Sequence, residues 1–241
     1  MKQEDLGRSI AVFTTKEHGF GTDAILLAHF AAPQKTDVAC DLGTGCGIIP
    51  LLWCREEKAK HITAVDIQPQ AIIQVEKAIE YNRLQNRMQA LCHDLKELKG
   101  ILPFNHYTLV TMNPPYKTMH GGQTSNHTAH AVANFEICCT IEDIAFTGAK
   151  LLKPAGRLVL CNRPERLSDT MTAMKNAGIE PKRLKLICHR AGSAPSLFLI
   201  EGRKGGNSGL SILPPFYIEG SDGSYTDEMN EIYKIWRESI G

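Results

Sequence analysis

Asn113-Pro114-Pro115-Tyr116 is the stretch of this chain best suited to chemistry at a nitrogen atom. It follows an apolar run over residues 106–112 that reads as a buried strand. Two successive prolines have no N–H for a ladder, so the chain must turn out of the sheet there. The turn presents an amide side chain, the free carbonyl of Pro114 and the aromatic face of Tyr116 at a strand's C-terminal end. Open α/β sheets hold their ligands along that edge. Two oxygen acceptors can take both hydrogens of a planar NH2 group, while the ring stacks on the base or amide that carries it. The plainer alternatives are an asparagine that caps its own turn and a partly buried core tyrosine.

A second constellation lies upstream. Residues 37–41 read as a short strand ending in the acid Asp41, and Gly43-Thr44-Gly45-Cys46-Gly47 follows before an apolar helix begins at Ile48. Strand, glycine turn and helix form a βα unit whose backbone N–H groups face a ligand, although an ordinary tight turn has the same local look. Gly43 and Gly45 allow close backbone approach, and Asp41 is placed to face an ammonium group. A further strand, His61–Asp66, ends in an acid placed to accept from ribose hydroxyls. The spacing G-x-G-x-G differs from the dinucleotide pattern G-x-G-x-x-G. It points away from nicotinamide cofactors and toward S-adenosylmethionine, which has no pyrophosphate to seat on the helix. Asp94, just past a third strand at Met88–Cys92, reads either as an acceptor for the donor's adenine amino group or as a helix cap.

These residues need a scaffold, and the periodicity supplies one. Thr22 or Asp23 reads as the N-cap of a helix over 24–32, and Pro69 opens another that carries Ala71, Ile72, Val75, Ala78 and Ile79. A long helix is expected over 133–152, a strand over 157–161 after Pro154-Ala155-Gly156, and a helix over 164–176. Segments 183–188 and 196–201 read as an antiparallel pair. Residues 211–218 are apolar but broken by Pro214-Pro215, and a final amphipathic helix is expected over 226–240, capped by Thr226 or Asp227. Strands alternating with helices predict an α/β fold: a Rossmann-like, doubly wound, seven-stranded and mostly parallel sheet with an antiparallel C-terminal hairpin. One domain over 1–241 is expected, with residues 1–35 contributing to the donor pocket and 203–241 forming a C-terminal extension.

Composition narrows the class. The chain is 43% hydrophobic and 22% charged, which suits a globular core. No run approaches the ~18 apolar residues of a bilayer span, and the N-terminus lacks an apolar signal segment. No membrane partner and a cytoplasmic location are therefore expected. Eight cysteines without a C-x-x-C pair read as free buried thiols. His120, His127 and His130 fit no metal-ligand spacing and read as surface loop residues, so no metal is expected. Net charge is only +1, yet residues 181–206 hold six basic side chains, Arg190 and Lys204 among them, against the single acid Glu201. That run reads equally as a solvated face or as a phosphate-binding patch on RNA, with Lys117 beside the turn as a further candidate contact.

Asp41-Leu42-Gly43-Thr44-Gly45-Cys46-Gly47 together with Asn113-Pro114-Pro115-Tyr116 resembles the class I S-adenosylmethionine-dependent methyltransferases that act on exocyclic or amide nitrogens. The resemblance narrows to the bacterial tRNA1(Val) adenine-37 N6-methyltransferase family through several more motifs. These are Phe20-Gly21-Thr22-Asp23-Ala24, Leu151-Leu152-Lys153-Pro154, Arg163-Pro164-Glu165-Arg166-Leu167, His189-Arg190-Ala191-Gly192, Leu213-Pro214-Pro215 and Gly223-Ser224-Tyr225-Thr226. It spans nearly the whole chain. Ala133-Asn134-Phe135-Glu136 stands where members often carry Ala-Arg-His-Glu. The resemblance implies adenine-N6 methylation of tRNA, with Asn113, Pro114 and Tyr116 at the reacting nitrogen and Thr22 and Asp23 beside the donor pocket. The alternatives are a glutamine-N5 protein methyltransferase, an rRNA guanine-N2 methyltransferase, and a non-catalytic RNA-binding module on the same fold.

Overall fold

An antiparallel hairpin that its polar sequence does not announce opens the chain: β1 (Lys2–Gly7) pairs with β2 (Ile10–Thr14). Its turn holds Arg8 and Ser9 at φ of 50° and 61°, a conformation usually signalled by Asn-Gly. The hairpin is fastened by side-chain amides from a helix, α3 (Pro69–Tyr81) and the residue after it. Asn82 Nδ2 donates to the Ala11 carbonyl at 2.7 Å, and Asn82 Oδ1 accepts from the Ala11 N–H at 2.8 Å. The buried Gln74 donates to the Phe13 carbonyl at 3.0 Å. These bonds occupy strand groups that would otherwise be an open edge. The computed structural model describes residues 1–114 and 139–237, the last four by backbone alone.

The main sheet contains β3 (Val38–Leu42), β4 (His61–Asp66), β5 (Met88–Cys92), β6 (Tyr107–Met112), β7 (Leu152–Asn162), β8 (Ile179–Cys188) and β9 (Pro195–Lys204). Their order is β5-β4-β3-β6-β7-β9-β8. The first five are mutually parallel, and β9 runs antiparallel to both of its neighbours. This is the expected seven-stranded sheet with its antiparallel C-terminal pair. Two further strands, β10 (Ser211–Ile212) and β11 (Phe216–Tyr217), lie parallel on β8. Pro214-Pro215 separates them, because neither proline has an N–H to continue a ladder.

Both sheet faces are covered. On one side α1 (Thr22–Ala31), α2 (Ile48–Arg55) and α3 bury Ile25, Leu27, Leu51 and Val75 with Ala39, Leu109 and Val159 of the strands. On the other, α4 (Ile141–Leu151) and α5 (Leu167–Asn176) bury Ile144 and Met174 with Cys40, Val110 and Leu158. Alternate strand residues thus serve opposite cores, the period of two that fixes register. A last helix, α6 (Asp227–Arg237), brings Met229 and Ile232 to the first core, and Thr226 accepts from the Met229 N–H at its start.

Three expectations change. The strand foreseen over 157–161 begins at Leu152, and a register irregularity against β6 absorbs Ala155 at φ 61°. The described part of the helix foreseen over 133–152 starts at Ile141, on a capping box between Thr140 and Asp143. Helix α1 is capped by neither Thr22 nor Asp23; its N-cap is Gly21, with no side-chain cap bond. The Thr22 and Asp23 side chains are engaged elsewhere, as described below.

The basic run over 181–206 is largely internal wiring. Glu201, 4% exposed, receives Arg183 Nη2 at 2.7 Å and Arg157 Nη1 at 3.1 Å through the same oxygen. Arg157 also reaches Asp37 at 3.2 Å. Lys185 pairs with Glu228 and Arg190 with Glu219, both at 2.9 Å. Glu201 therefore joins β7, β8 and β9 through two guanidinium groups. Glu201→Gln should lower unfolding stability by about 3 kcal/mol, since removing one partner strands buried charge. Urea unfolding at pH 7 measures this, and a loss well under 1 kcal/mol would mean that Asp37 alone satisfies Arg157.

Candidate active site

The strand register decides which side chains meet. Leu42 pairs with Val65 on one side and Met112 on the other, and Met112 pairs with Leu160. The next residues along β4, β3, β6 and β7 are Asp66, Gly43, Asn113 and Cys161. They form one row across four adjacent parallel strands at the C-terminal edge. The chain passes from β3 to β4 and β5, then returns to place β6 on the other side of β3. The row thus straddles the topological switch point, where open α/β sheets leave a crevice.

Gly43 and Gly45 hold φ of 62° and 55°, values that favour glycine. A Cβ on Gly45 would meet no atom within 4 Å, so the backbone there is open to a ligand. The Thr44 N–H donates to the Val65 carbonyl at 3.0 Å, holding the turn against β4. Asp66 closes it: Oδ2 accepts from the Gly45 N–H and Oδ1 from the Gln68 N–H, each at 2.9 Å. Each oxygen keeps a second acceptor site.

Asp41 is nearly fully buried on the α1–α2 face. Its Oδ1 accepts from Thr111 Oγ1 at 2.6 Å across the β3–β6 pair. Asp41 Oδ2 and Thr44 Oγ1 are buried with no hydrogen-bond partner among the described residues. Burial raises the Asp41 carboxyl to about 7, while the hydroxyls of Thr111 and, more weakly, Thr44 pull the other way. The Thr44 hydroxyl is near enough to steady the Asp41 carboxyl without forming a good hydrogen bond to it. Two such incompletely satisfied oxygens beside an open glycine turn are groups that a ligand carrying an ammonium would complete, and S-adenosylmethionine carries one. The residues present fit that donor.

Asn113 is half-buried and Pro114 buried. Asn113 Nδ2 donates to Asp23 Oδ2 at 3.3 Å, and Asn113 Oδ1 accepts from Cys161 Sγ at 2.8 Å. Thr22 Oγ1 lies 3.3 Å from the Tyr233 hydroxyl. The Gly21-Thr22-Asp23 turn therefore stands at the same edge as Asn113, with Asp23 on the amide itself. Asp94 adopts the cap geometry: Oδ1 accepts from the Lys96 N–H at 2.9 Å at the head of a short 3-10 helix, Leu95–Glu97. Tyr116, Lys117 and the three loop histidines lie outside the described residues.

The two other expected RNA contacts separate. Arg190 follows β8, whose C-terminal end lies at the same sheet edge as Asn113, but it is paired with Glu219. Lys204 lies apart from that edge. It ends β9, which runs antiparallel, and so sits at the opposite edge of the sheet. There Lys204 Nζ donates to Asn105 Oδ1 at 2.6 Å and to the Leu152 carbonyl at 2.7 Å, before β6 and at the start of β7.

Four residues at or beside this edge were not singled out from the sequence. The signal available for Thr111 was a polar residue in an apolar strand, and Thr44 was passed over inside the glycine motif. Cys161 looked like core, and it is indeed buried. Ile67, directly after Asp66, is 51% exposed, an isolated apolar side chain at the ligand edge.

The raised carboxyl of Asp41 has a thermodynamic signature. The folded state holds this proton up to about pH 7, whereas an unfolded aspartate releases it near ~3.9. Asp41 therefore subtracts stability as pH rises from about 4 to about 7 and adds no slope above that. Asp41→Asn should gain stability relative to the parent across that window, read as a growing difference in urea midpoints. A difference that stays constant from pH 4 to 8 would show that the carboxyl is ionised throughout.

The methyltransferase small domain family matches residues 5–174, from β1 through most of α5. A tRNA1(Val) (adenine(37)-N6)-methyltransferase of Tolumonas auensis is 30% identical over 75% of this chain and 74% of its own length. The enzyme of that name from Parabacteroides distasonis is 26% identical over 75% of each. Among solved structures, a predicted O-methyltransferase from Agrobacterium tumefaciens superposes with a TM-score of 0.72 over 89% of this chain and 96% of its own, at 22% identity. At that identity the superposition speaks for the fold alone. The family match covers more than two thirds of the sequence and contains both the glycine turn and Asn113, so the chain belongs to the methyltransferase small domain family and is an S-adenosylmethionine-dependent methyltransferase.

Proposed function

We propose that this enzyme methylates an exocyclic amino nitrogen of RNA, adenine N6 of a tRNA, in the manner named for its relatives. The observation that carries the proposal is the position of the Asn113 amide. It stands at the switch-point edge, one strand from the glycine turn and in the same row as Asp66. The names of the relatives at 30% and 26% identity support the adenine-N6 assignment.

Bound S-adenosylmethionine supplies a methyl group already activated on a sulfonium. What remains is to make a poor nucleophile ready. An adenine amino group is conjugated with its ring, so its lone pair is delocalised. In this reading Asn113 Oδ1 accepts one N–H and the Pro114 carbonyl the other. Two such acceptors favour a pyramidal nitrogen and free the lone pair, and fixed dipoles do this without reorganising during the reaction. No strong base is needed, because the nitrogen becomes acidic once alkylated and gives its proton to water. Asp41 and Thr44 would hold the donor's amino-acid end, Asp66 its ribose, and Ile67 would cover one face of its adenine.

Two measurements test the proposal. Incubated with labelled donor and total tRNA, rRNA, DNA and release factor, the protein should label tRNA, and digestion should release N6-methyladenosine. Label found only in protein would favour the glutamine-N5 reading and sink this one, and N2-methylguanosine in rRNA would do the same. Asn113→Ala should lower kcat by about 100- to 1000-fold, the usual effect of losing one preorganised polar group. Donor affinity by calorimetry should stay within about twofold, because Asn113 faces the acceptor; loss of donor binding would place it in the wrong pocket.

A further inference from the structure

The Asn113 amide has two ends, and the structure assigns each a neighbour from a different element. We infer that Asp23 is a positioning residue: its carboxylate fixes the orientation of the Asn113 amide so that Oδ1 is the end offered to the incoming amino group. This rests on the proposed role of Asn113 and departs from the expectation that Asp23 contacts the donor. A carboxylate only accepts hydrogen bonds. The Asn113 atom 3.3 Å from Asp23 Oδ2 is therefore the NH2 end, and the opposite orientation would set two oxygens against each other. With the NH2 end held, Oδ1 points away from α1 toward β7, where the Cys161 thiol donates to it. Cys161 is fully buried, and a thiol is a weak donor. It keeps the amide oxygen hydrogen-bonded in the resting protein and can yield that oxygen to a stronger N–H donor.

Gly21 gives the assignment independent support. A Cβ there would stand 2.5 Å from Asp23 Oδ1, the other oxygen of the same carboxylate, and 3.6 Å from Asp23 Cγ. Gly21 has φ −114°, so its backbone does not itself demand glycine. The missing side chain is instead the space that the carboxylate fills on its way to Asn113. The obstructed atom is the far end of a short side chain, so Gly21→Ala would be relieved by rotation of Asp23 and not by unfolding. That rotation takes the carboxylate off the amide while leaving its charge in place. From the other flank, the Tyr233 hydroxyl meets Thr22 and ties the turn to α6.

The test is a set of single variants assayed with total tRNA, rRNA and protein acceptors, each checked by thermal melting and by calorimetric donor affinity. Asp23→Asn should lower kcat by about 10- to 100-fold, the scale of a misoriented reacting group. The donor dissociation constant should stay within about twofold, and Asp23→Glu should recover part of the loss. Gly21→Ala should reproduce the kcat defect with an unchanged melting temperature. Donor affinity that falls about tenfold or more in Asp23→Asn, with kcat restored at saturating donor, would overturn the inference and make Asp23 a donor contact. Unaltered kcat in both Asp23→Asn and Gly21→Ala would overturn it as well. The proposed function fails separately. If the parent protein labels a glutamine amide and no RNA, the tRNA reading is lost, while an Asp23→Asn defect on that amide would still uphold the positioning role. If the parent protein labels nothing, both are lost.

Discussion

Everything at the active edge depends on four parallel strands ending in register. Side chains alternate along a strand, so a slip of one residue between β3 and β6 would exchange the faces on which every partner lies. Thr111 would lose Asp41, and Asn113 would leave the level of Gly43. What resists the slip is apolar: Ala39 and Leu109 belong to the core under α1 and α2, while Cys40 and Val110 belong to the core under α4 and α5. Shifting one strand would drive residues chosen for one core into the other, and Asp41 with them. The chemistry is thus placed by hydrophobic burial that lies a turn or more away from it, and the reacting groups need no mutual attraction to meet.

The two donor-side acids show how one edge creates different environments. Asp66 and Asp41 sit on adjacent strands and are both largely buried. Asp66 accepts two backbone N–H groups, one from the glycine turn and one from the chain entering α3. It is part of the fold whether or not a ligand is present. Asp41 has one well-formed hydroxyl partner, Thr111, a weaker influence from the Thr44 hydroxyl, and one oxygen with no well-formed hydrogen bond among the described residues. A buried acceptor without a partner costs about 1–3 kcal/mol, and such deficits persist where a ligand completes them. The asymmetry separates a carboxylate whose bonds are made within the turn from one that the fold leaves incompletely satisfied, as the proposed donor contact requires.

The fold was legible because its signals were redundant. Apart from β5, which only a short 3-10 turn follows, each parallel strand showed an apolar run, a length and a later helix that agreed with one another, and Pro69 and Pro214-Pro215 marked breaks where the structure has them. The hairpin of β1 and β2 was not legible. Its turn uses Arg8 and Ser9 where glycine or asparagine would be the cue, and its fastening comes from Gln74 and Asn82, distant in sequence. The position of Lys204 was hidden for a related reason. Clustering along the sequence suggested a patch, but an antiparallel pair brings both ends of the basic run, Lys182 and Lys204, to one edge of the sheet and leaves its middle, Arg190, at the other. Charge counts do not carry that direction. Acids at strand ends were easy to find and hard to interpret: Asp66, Asp94 and Asp41 share a pattern, and only their hydrogen bonds distinguish a turn clasp, a cap and a waiting acceptor.

The start of α1 is the most instructive departure. Gly-Thr-Asp before an apolar run is a strong local signal for a capped helix, and a serine, threonine or aspartate cap contributes about 1 kcal/mol. The chain forgoes it. Gly21 takes the cap position with no side chain to offer, Thr22 turns to Tyr233, and Asp23 reaches β6 to meet Asn113. A local rule broken by all three residues at once, each with a long-range partner in its place, marks a segment whose geometry is set from outside the helix. Those partners lie on the sheet edge and on the C-terminal helix, so the turn fastens α6 to the end of the strand that leads into Asn113. This explains why the sequence names the motif clearly and misstates its local role: the residue types are those of a cap, and the distances are those of a clamp.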